Sequence, residues 1–184
     1  MHETHVDDES RRTAALALWR YGHDYLKAAR TLCENDHIAC NESQALYHLA
    51  AQGIEFALKS HLRAKGVTPG DLSARIGHSL LDALQEAMAR DLAPPPVDVL
   101  RAIQLIAPYH RHDQFRFLAV RHGEFPDLAP LLAAGTWILA QTAKDVVADY
   151  FAYHGHASAP ASEEMLRLMR ADLQMTVRNI PTLQ

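Results

Sequence analysis

Apolar side chains recur at spacings of three and four residues along most of the chain, a pattern typical of helices that bury one face. The clearest example runs from about Asn41 to Lys65, and its apolar face consists of Leu46, Leu49, Ala50, Gly53, Ile54, Ala57, Leu58, His61 and Leu62. Asn41 and Gln44 have the spacing of a reciprocal capping box at the start of this helix. Gly53 lies on the apolar face although glycine lowers helix stability by roughly 1 kcal/mol relative to alanine. We therefore expect a second helix to cross closely there.

The same spacing predicts further helices before and after this one. They cover residues 11–33, a stretch from about His78 to the prolines at 94–96, a stretch from about Val97 to a kink or end at Pro108, residues 128–153, and a last helix that Ser162 can cap. No strand-like alternation of apolar and polar residues occurs, which predicts an all-α bundle of about five to six helices. We expect a flexible leader at 1–10, the bundle at 11–153, a linker at 154–161, and a C-terminal helix and tail at 162–184.

Composition narrows the class of protein. With 184 residues, of which 48% are hydrophobic and 22% charged, the chain has the size and composition of one globular domain. A net charge of −4 argues against non-specific binding of duplex nucleic acid through a large basic face. No apolar run approaches the ~20 residues of a membrane span, and the first residues do not resemble a secretory leader. We therefore expect a cytoplasmic protein without a membrane segment, in which Cys33 and Cys40 are free thiols.

The most cationic stretch is residues 109–122, which we call the Arg/His segment. Arginines recur there at five-residue intervals with histidines beside them, namely Arg111, Arg116 and Arg121 with His110, His112 and His122. Arginine binds phosphate oxygens through its planar guanidinium group, and Tyr109, Phe115 or Phe117 can stack on a base. The alternative is that these aromatic side chains are core residues and that the arginines pair with Asp113 or Glu124.

Four stretches between Leu18 and about Leu118 resemble the HEPN superfamily of helical-bundle proteins. They read WRYGHDYLKAARTL, ALYHLAAQGIEFALKSHLRAKG, IGHSLLDALQEA and YHRHDQFRFL. The superfamily pattern of a Glu-x-x-x-Lys core, a closing Lys-Gly and a His before a short helix is matched by Glu55, Lys59, Lys65, Gly66 and His78. The resemblance implies an up-and-down bundle that forms a homodimer. Members include metal-independent ribonucleases, toxins, nucleotide-binding modules and catalytically silent partners, so it also implies an antitoxin or a nucleotidyltransferase-type partner.

The resemblance also indicates where a nuclease site would lie. Nuclease members carry an Arg followed four to six residues later by a His, and Arg116 and His122 have this spacing, although Phe117 stands where a polar residue usually follows the Arg. A start at Arg111-His112 has the polar neighbour, but Arg116 then stands where the second His belongs. We predict that His122 is the base and Arg116 the phosphate clamp, with copies from two subunits completing one cleft. The predicted nucleotide- or RNA-binding residues are Tyr109, His110, Arg111, His112 and Arg121.

A non-enzymatic interpretation stays open beside the nuclease hypothesis. In it, Arg116 and His122 are ordinary surface residues at a helix end, and the protein is a dimerisation or protein-interaction module. Glu55 and Lys59 are four residues apart, a spacing that predicts an ion pair on the surface of the helix. Such a pair has a structural role only.

A metalloprotein is the third interpretation, because the chain has 12 histidines. His23, His48, His61 and His78 come from three predicted helical regions and can converge inside the bundle. Metal sites in helical bundles normally need several inward carboxylates as well. We therefore predict no metal and no cofactor, and rank a His-lined metalloprotein behind the other two interpretations.

Overall fold

The computed structural model describes residues 14–34, 43–111, 127–154 and 159–177. Within these ranges all regular elements are helical and no strand occurs, which confirms the predicted all-α bundle. The elements are α1 (Ala15–Cys33), α2 (Gln44–Ala64), the single turn α3 (Pro69–Asp71), the π-helical turn π1 (Leu72–Ile76), α4 (Leu80–Met88), α5 (Val97–Arg111), α6 (Leu128–His154) and α7 (Ala159–Val177).

A serine precedes each of the helices α2 and α4, and at α4 its side chain caps the helix. Helix α4 follows Ser79, whose hydroxyl accepts a hydrogen bond from the Asp82 amide at 3.3 Å. A side chain that caps in this way satisfies one of the free amides of the first turn. Helix α2 follows Ser43, and Asn41, its predicted cap, lies outside the described residues.

Two helix ends differ from the sequence prediction. Helix α7 begins at Ala159, so Ser162 lies inside it and the prediction that Ser162 caps this helix is wrong. Pro160 is compatible with the earlier start because amides in the first turn have no partner within the helix. Helix α5 continues through Pro108 to Arg111, so the proline does not end it.

Helices α1, α2 and α6 pack against one another around three glycines. A Cβ atom added at Gly53 of α2 would lie 3.0 Å from the carbonyl oxygen of Gly22 on α1 and 2.7 Å from Cγ of Leu26. A Cβ atom added at Gly135 of α6 would lie 2.6 Å from the methyl carbons of the same leucine. Leu26 thus fills the space that the missing side chains of Gly53 and Gly135 leave, which confirms the close crossing predicted at Gly53.

Helix α2 is the most enclosed helix of this arrangement. Besides α1 and α6 it contacts α4 and α5, and 13 of its 21 residues are buried. Helices α1 and α6 are also joined by a hydrogen bond from Trp19 Nε1 to the Leu139 carbonyl oxygen at 3.0 Å. A polar side chain on almost any face of α2 is therefore directed into the protein rather than toward solvent.

Two structural observations bear on the expected location of the protein. No helix in the described ranges is long and apolar enough to cross a membrane. Cys33, at the end of α1, is disulfide-bonded, so the prediction of a free thiol there is wrong. Cys40 lies outside the described residues. The cytoplasmic location stays a prediction.

We expect Gly53→Ala to lower the free energy of unfolding by about 1–3 kcal/mol, because the added methyl group overlaps Leu26. This loss should occur although alanine favours helix formation by about 1 kcal/mol. Denaturant-induced unfolding measures the difference. Gly70→Ala is the control, since the nearest atom to its added Cβ is Thr68 Oγ1 at 3.8 Å, and we expect a change of no more than about 0.5 kcal/mol there. Equal effects of the two substitutions would contradict the close crossing.

Candidate functional site

Glu55 carries a carboxylate into the interior of the bundle. It continues a row on α2 that includes Tyr47 and Ala51, both fully buried, and its own side chain is only 2% exposed. A buried ionised group is strongly unfavourable unless it is paired and hydrogen-bonded. The predicted pair with Lys59 does form, but its predicted position on the helix surface is wrong because α4 and α5 cover this side of α2.

Three cationic or protonatable side chains bind the two oxygens of this carboxylate. Lys59 Nζ lies 2.6 Å from Oε1 and donates a hydrogen bond to it. His78 Nδ1, in the turn before α4, lies 3.1 Å from Oε2, and His110 Nε2, in the last turn of α5, lies 2.5 Å from the same oxygen. We call Glu55, Lys59, His78 and His110 the Glu55 cluster. It joins α2, the start of α4 and the end of α5 through one carboxylate.

The Glu55 cluster is open to solvent on one side. The side chain of His78 is 56% exposed, whereas those of Lys59 and His110 are 13% and 3% exposed. The rings of His78 and His110 meet edge to face with centroids 6.1 Å apart, and the ring of His48 lies 6.5 Å from that of His110. Three imidazoles therefore gather at this end of the bundle, and that of His78 is exposed to solvent.

The electrostatics of the Glu55 cluster keep its carboxylate ionised. Burial by itself raises the pKa of the Glu55 carboxyl group, because the charged form loses its hydration. The hydrogen bond from His110, the charge and hydrogen bond of Lys59, and the charge of His110 outweigh burial, so the pKa falls from 4.5 to about 2. An ionised carboxylate that is held by its neighbours can orient the imidazoles that bind it.

The Arg/His segment begins at the Glu55 cluster. Tyr109 is half-buried and packs against the core. This agrees with the alternative interpretation, in which the aromatic side chains of the Arg/His segment are core residues. His110 is buried and bound to Glu55, and Arg111 is exposed. The remaining predicted site residues lie outside the described residues: His112, Arg116, Arg121 and His122. Their predicted roles as phosphate clamp, base and ligand contacts stay predictions.

The four histidines suggested as metal ligands do not meet. His61 is fully buried, with Nε2 2.9 Å from the Arg90 carbonyl oxygen and Nδ1 3.2 Å from Asp145 Oδ2. His23 stacks on Trp19 with ring centroids 5.7 Å apart. Among the described residues, the group whose donor atoms come together is instead Glu55, His78 and His110.

The sequence contained a signal for this site that the prediction of a surface pair overlooked. Glu55 follows Tyr47 and Ala51 at spacing four on α2, and a charged residue that continues an apolar row is either exposed or paired inside the protein. The pairing of Glu55 with His110 could not be predicted from the sequence, because the two residues are separated by 55 positions. The resemblance did single out Glu55, Lys59 and His78 together, without His110.

Chemically, the Glu55 cluster combines a negative charge with imidazole nitrogen atoms that can donate or accept hydrogen bonds. No protein-family model, no curated protein and no solved structure matches the chain. Membership of the HEPN superfamily therefore stays a prediction that rests on the residue pattern quoted above.

We expect the Glu55 cluster to stabilise the fold most above pH 4.5. The folded-state pKa of Glu55 is depressed from 4.5 to about 2, so the stabilisation is present above the unfolded value and is lost as the pH falls toward 2. The depression corresponds to roughly 3 kcal/mol. Glu55→Gln should lower the free energy of unfolding at neutral pH by about that amount and remove much of the loss of stability between pH 4.5 and 2. Denaturant-induced unfolding across this pH range measures both effects.

Glu86→Gln is the matched control for Glu55→Gln. Glu86 also pairs with a cation four residues later, since Arg90 Nη2 lies 2.9 Å from its Oε1, but both side chains are about one-third exposed. Surface ion pairs contribute little, so we expect a change of no more than about 1 kcal/mol. A Glu86→Gln variant that loses as much stability as Glu55→Gln would contradict a special role for the buried carboxylate.

Proposed function

We propose that this protein binds RNA or a nucleotide at the end of the bundle where the Arg/His segment leaves α5, and that it is a weak metal-independent ribonuclease of the HEPN-like kind. The observation that supports the proposal best is the anchoring of His110 by Glu55 at 2.5 Å. This contact holds the last turn of α5, which includes Arg111. The rest of the Arg/His segment, with Arg116 and Arg121, follows in the chain. An anion-binding segment is more effective when its first residues are held in one position.

Charge at this end of the bundle favours an anionic ligand. One carboxylate, that of Glu55, faces Lys59 and two imidazoles, and the exposed guanidinium group of Arg111 follows directly after His110. Arginine can hold two phosphate oxygens at once. The local surplus of positive charge when an imidazole is protonated attracts phosphate groups although the whole chain carries a net charge of −4.

The chemistry expected of the site is proton transfer at a ribose hydroxyl next to a held phosphate. In the proposal His122 removes the proton and Arg116 binds the scissile phosphate, with the same residues of a second subunit completing the cleft. His78 can assist, because its imidazole is oriented by Glu55 and is exposed to solvent. None of these steps needs a metal ion.

A second candidate function is a homodimeric protein-interaction module, with an antitoxin or a nucleotidyltransferase-type protein as its partner. Two apolar side chains of α5 support it, since Val97 is 78% exposed and Leu105 is 47% exposed. Exposed apolar residues are common on monomers, so this support is weaker than that for the anion site.

We expect the wild-type protein to bind single-stranded RNA and to cleave it slowly in the presence of a chelator. Arg111→Ala and Arg116→Ala should each weaken binding by about tenfold, which corresponds to about 1.4 kcal/mol, because each removes a phosphate contact. His122→Ala should lower the cleavage rate by at least about 100-fold, the usual contribution of a general base. Fluorescence anisotropy of a labelled RNA and gel analysis of its fragments measure the two effects.

Arg101→Ala is the control for these variants, because Arg101 is an exposed arginine on the same helix, outside the Arg/His segment. It removes the same charge and should change binding by less than about twofold. Equal binding and cleavage by all four variants would reject the site. A wild-type protein that neither binds nor cleaves RNA or nucleotides, yet forms a dimer in light scattering, would favour the interaction module instead.

A further inference from the structure

Glu55, His78 and His110 bring together the donor atoms of a transition-metal site. Their ligand atoms, one carboxylate oxygen and two imidazole nitrogens, all lie within 4.8 Å of one another. Two histidines and a glutamate are a common ligand set of catalytic zinc ions, which keep a fourth position for water. We propose that these three residues bind Zn²⁺ at the end of α5. This proposal goes beyond RNA binding and does not depend on it.

Two of the three distances between ligand atoms can be compared with those of a zinc site. Zinc binds imidazole nitrogen and carboxylate oxygen at about 2.0–2.2 Å, so two ligand atoms of a tetrahedral site lie roughly 3.3 Å apart. Oε2 of Glu55 and Nδ1 of His78 are already 3.1 Å apart. Nε2 of His110 lies 2.5 Å from Oε2 and would have to withdraw by ~0.8 Å. The last turn of α5 can supply this shift more easily than a mid-helix residue, because helix ends make fewer hydrogen bonds.

Lys59 leaves the required oxygen available. Its ammonium group binds Oε1 at 2.6 Å, so Oε2 is the oxygen that both histidines share. A partner on the non-ligating oxygen orients a carboxylate ligand, as outer-shell residues do in known metal sites. The charge of Lys59 also repels a dication, so we expect binding weaker than at a structural zinc site.

The fourth coordination position of the zinc ion, and the route by which the ion enters, lie on the side of His78. This side chain is 56% exposed, while Glu55 and His110 are almost completely buried. An ion at the junction of the three ligands is therefore reached from the His78 side and retains water there. In the metal-free protein the two imidazoles hydrogen-bond to the carboxylate at the place where the ion would bind, and zinc replaces those protons.

Zinc binding should be measured on the full chain purified without a histidine tag, by competition with a chromogenic chelator and by titration calorimetry. We expect saturable binding of one Zn²⁺ per chain. His78→Ala should weaken it by at least about tenfold. Because His78 is half-exposed and Lys59 and His110 still bind the carboxylate, this variant should remain folded, with the wild-type circular dichroism. Co²⁺ bound to the wild type should show the intense visible absorption of a tetrahedral site, and His78→Ala should lose it.

His48→Ala is the matched control, because His48 lies near His110 on α2 but is not one of the three ligands. It should change the zinc affinity by less than about threefold. The proposal is overturned if the wild type binds no stoichiometric zinc, if folded His78→Ala binds as tightly as the wild type, or if His48→Ala weakens binding as much as His78→Ala. The RNA assay is performed with a chelator present, so its result does not depend on zinc. A failure of the zinc site is therefore distinguished from a failure of RNA binding.

Discussion

The carboxylate of Glu55 imposes the strictest constraint on this bundle. A charge that is only 2% exposed must be compensated by groups that reach it, and these come from three separate places in the chain. Lys59 is supplied by the same helix, His78 by the turn before α4, and His110 by the end of α5. The positions of α4 and α5 relative to α2 are thus set by a polar requirement as well as by apolar packing. Removing one partner leaves the charge uncompensated, which is usually more damaging than removing the whole network.

Contacts on several sides of α2 leave it little surface toward solvent. Gly22, Gly53 and Gly135 let α1, α2 and α6 approach until Leu26 fills the space between them. With α1 and α6 so close, and α4 and α5 also in contact, α2 has no broad face left for solvent. On a surface helix the Glu55 carboxylate would be hydrated by water. In the interior it needs cationic or hydrogen-bonding partners instead. Glu55 itself is covered by α4 and α5, whose ends supply His78 and His110.

The sequence predicted those features that depend on neighbours along the chain. The helical periodicity located α2, α5 and α6 to within a few residues, and the glycine on the apolar face of α2 predicted the close crossing. The start of α7 was predicted wrongly because serine is a common helix cap, which favoured Ser162. Pro160 is equally suited to a first helical turn, and the helix begins one residue before it. The pairing of Glu55 with His110 could not be predicted, since their separation of 55 positions is set by how α5 returns to α2. The spacing of four residues between Glu55 and Lys59 is visible in the sequence. Whether this pair is buried or exposed depends on which helices pack against α2.

The long separations within the Glu55 cluster have a consequence for the order of folding. Glu55 is 23 positions from His78 and 55 from His110, and closing such loops requires α4 and α5 to dock first. Until then the carboxylate can keep its water, because nothing yet replaces its hydration. The contacts that replace this hydration are non-local, so they form only once the loops between them are closed. Interactions that form after the transition state change the rate of unfolding more than the rate of folding. For the non-local contacts of Glu55, the expected effect is therefore on how long the folded bundle persists rather than on how fast it forms.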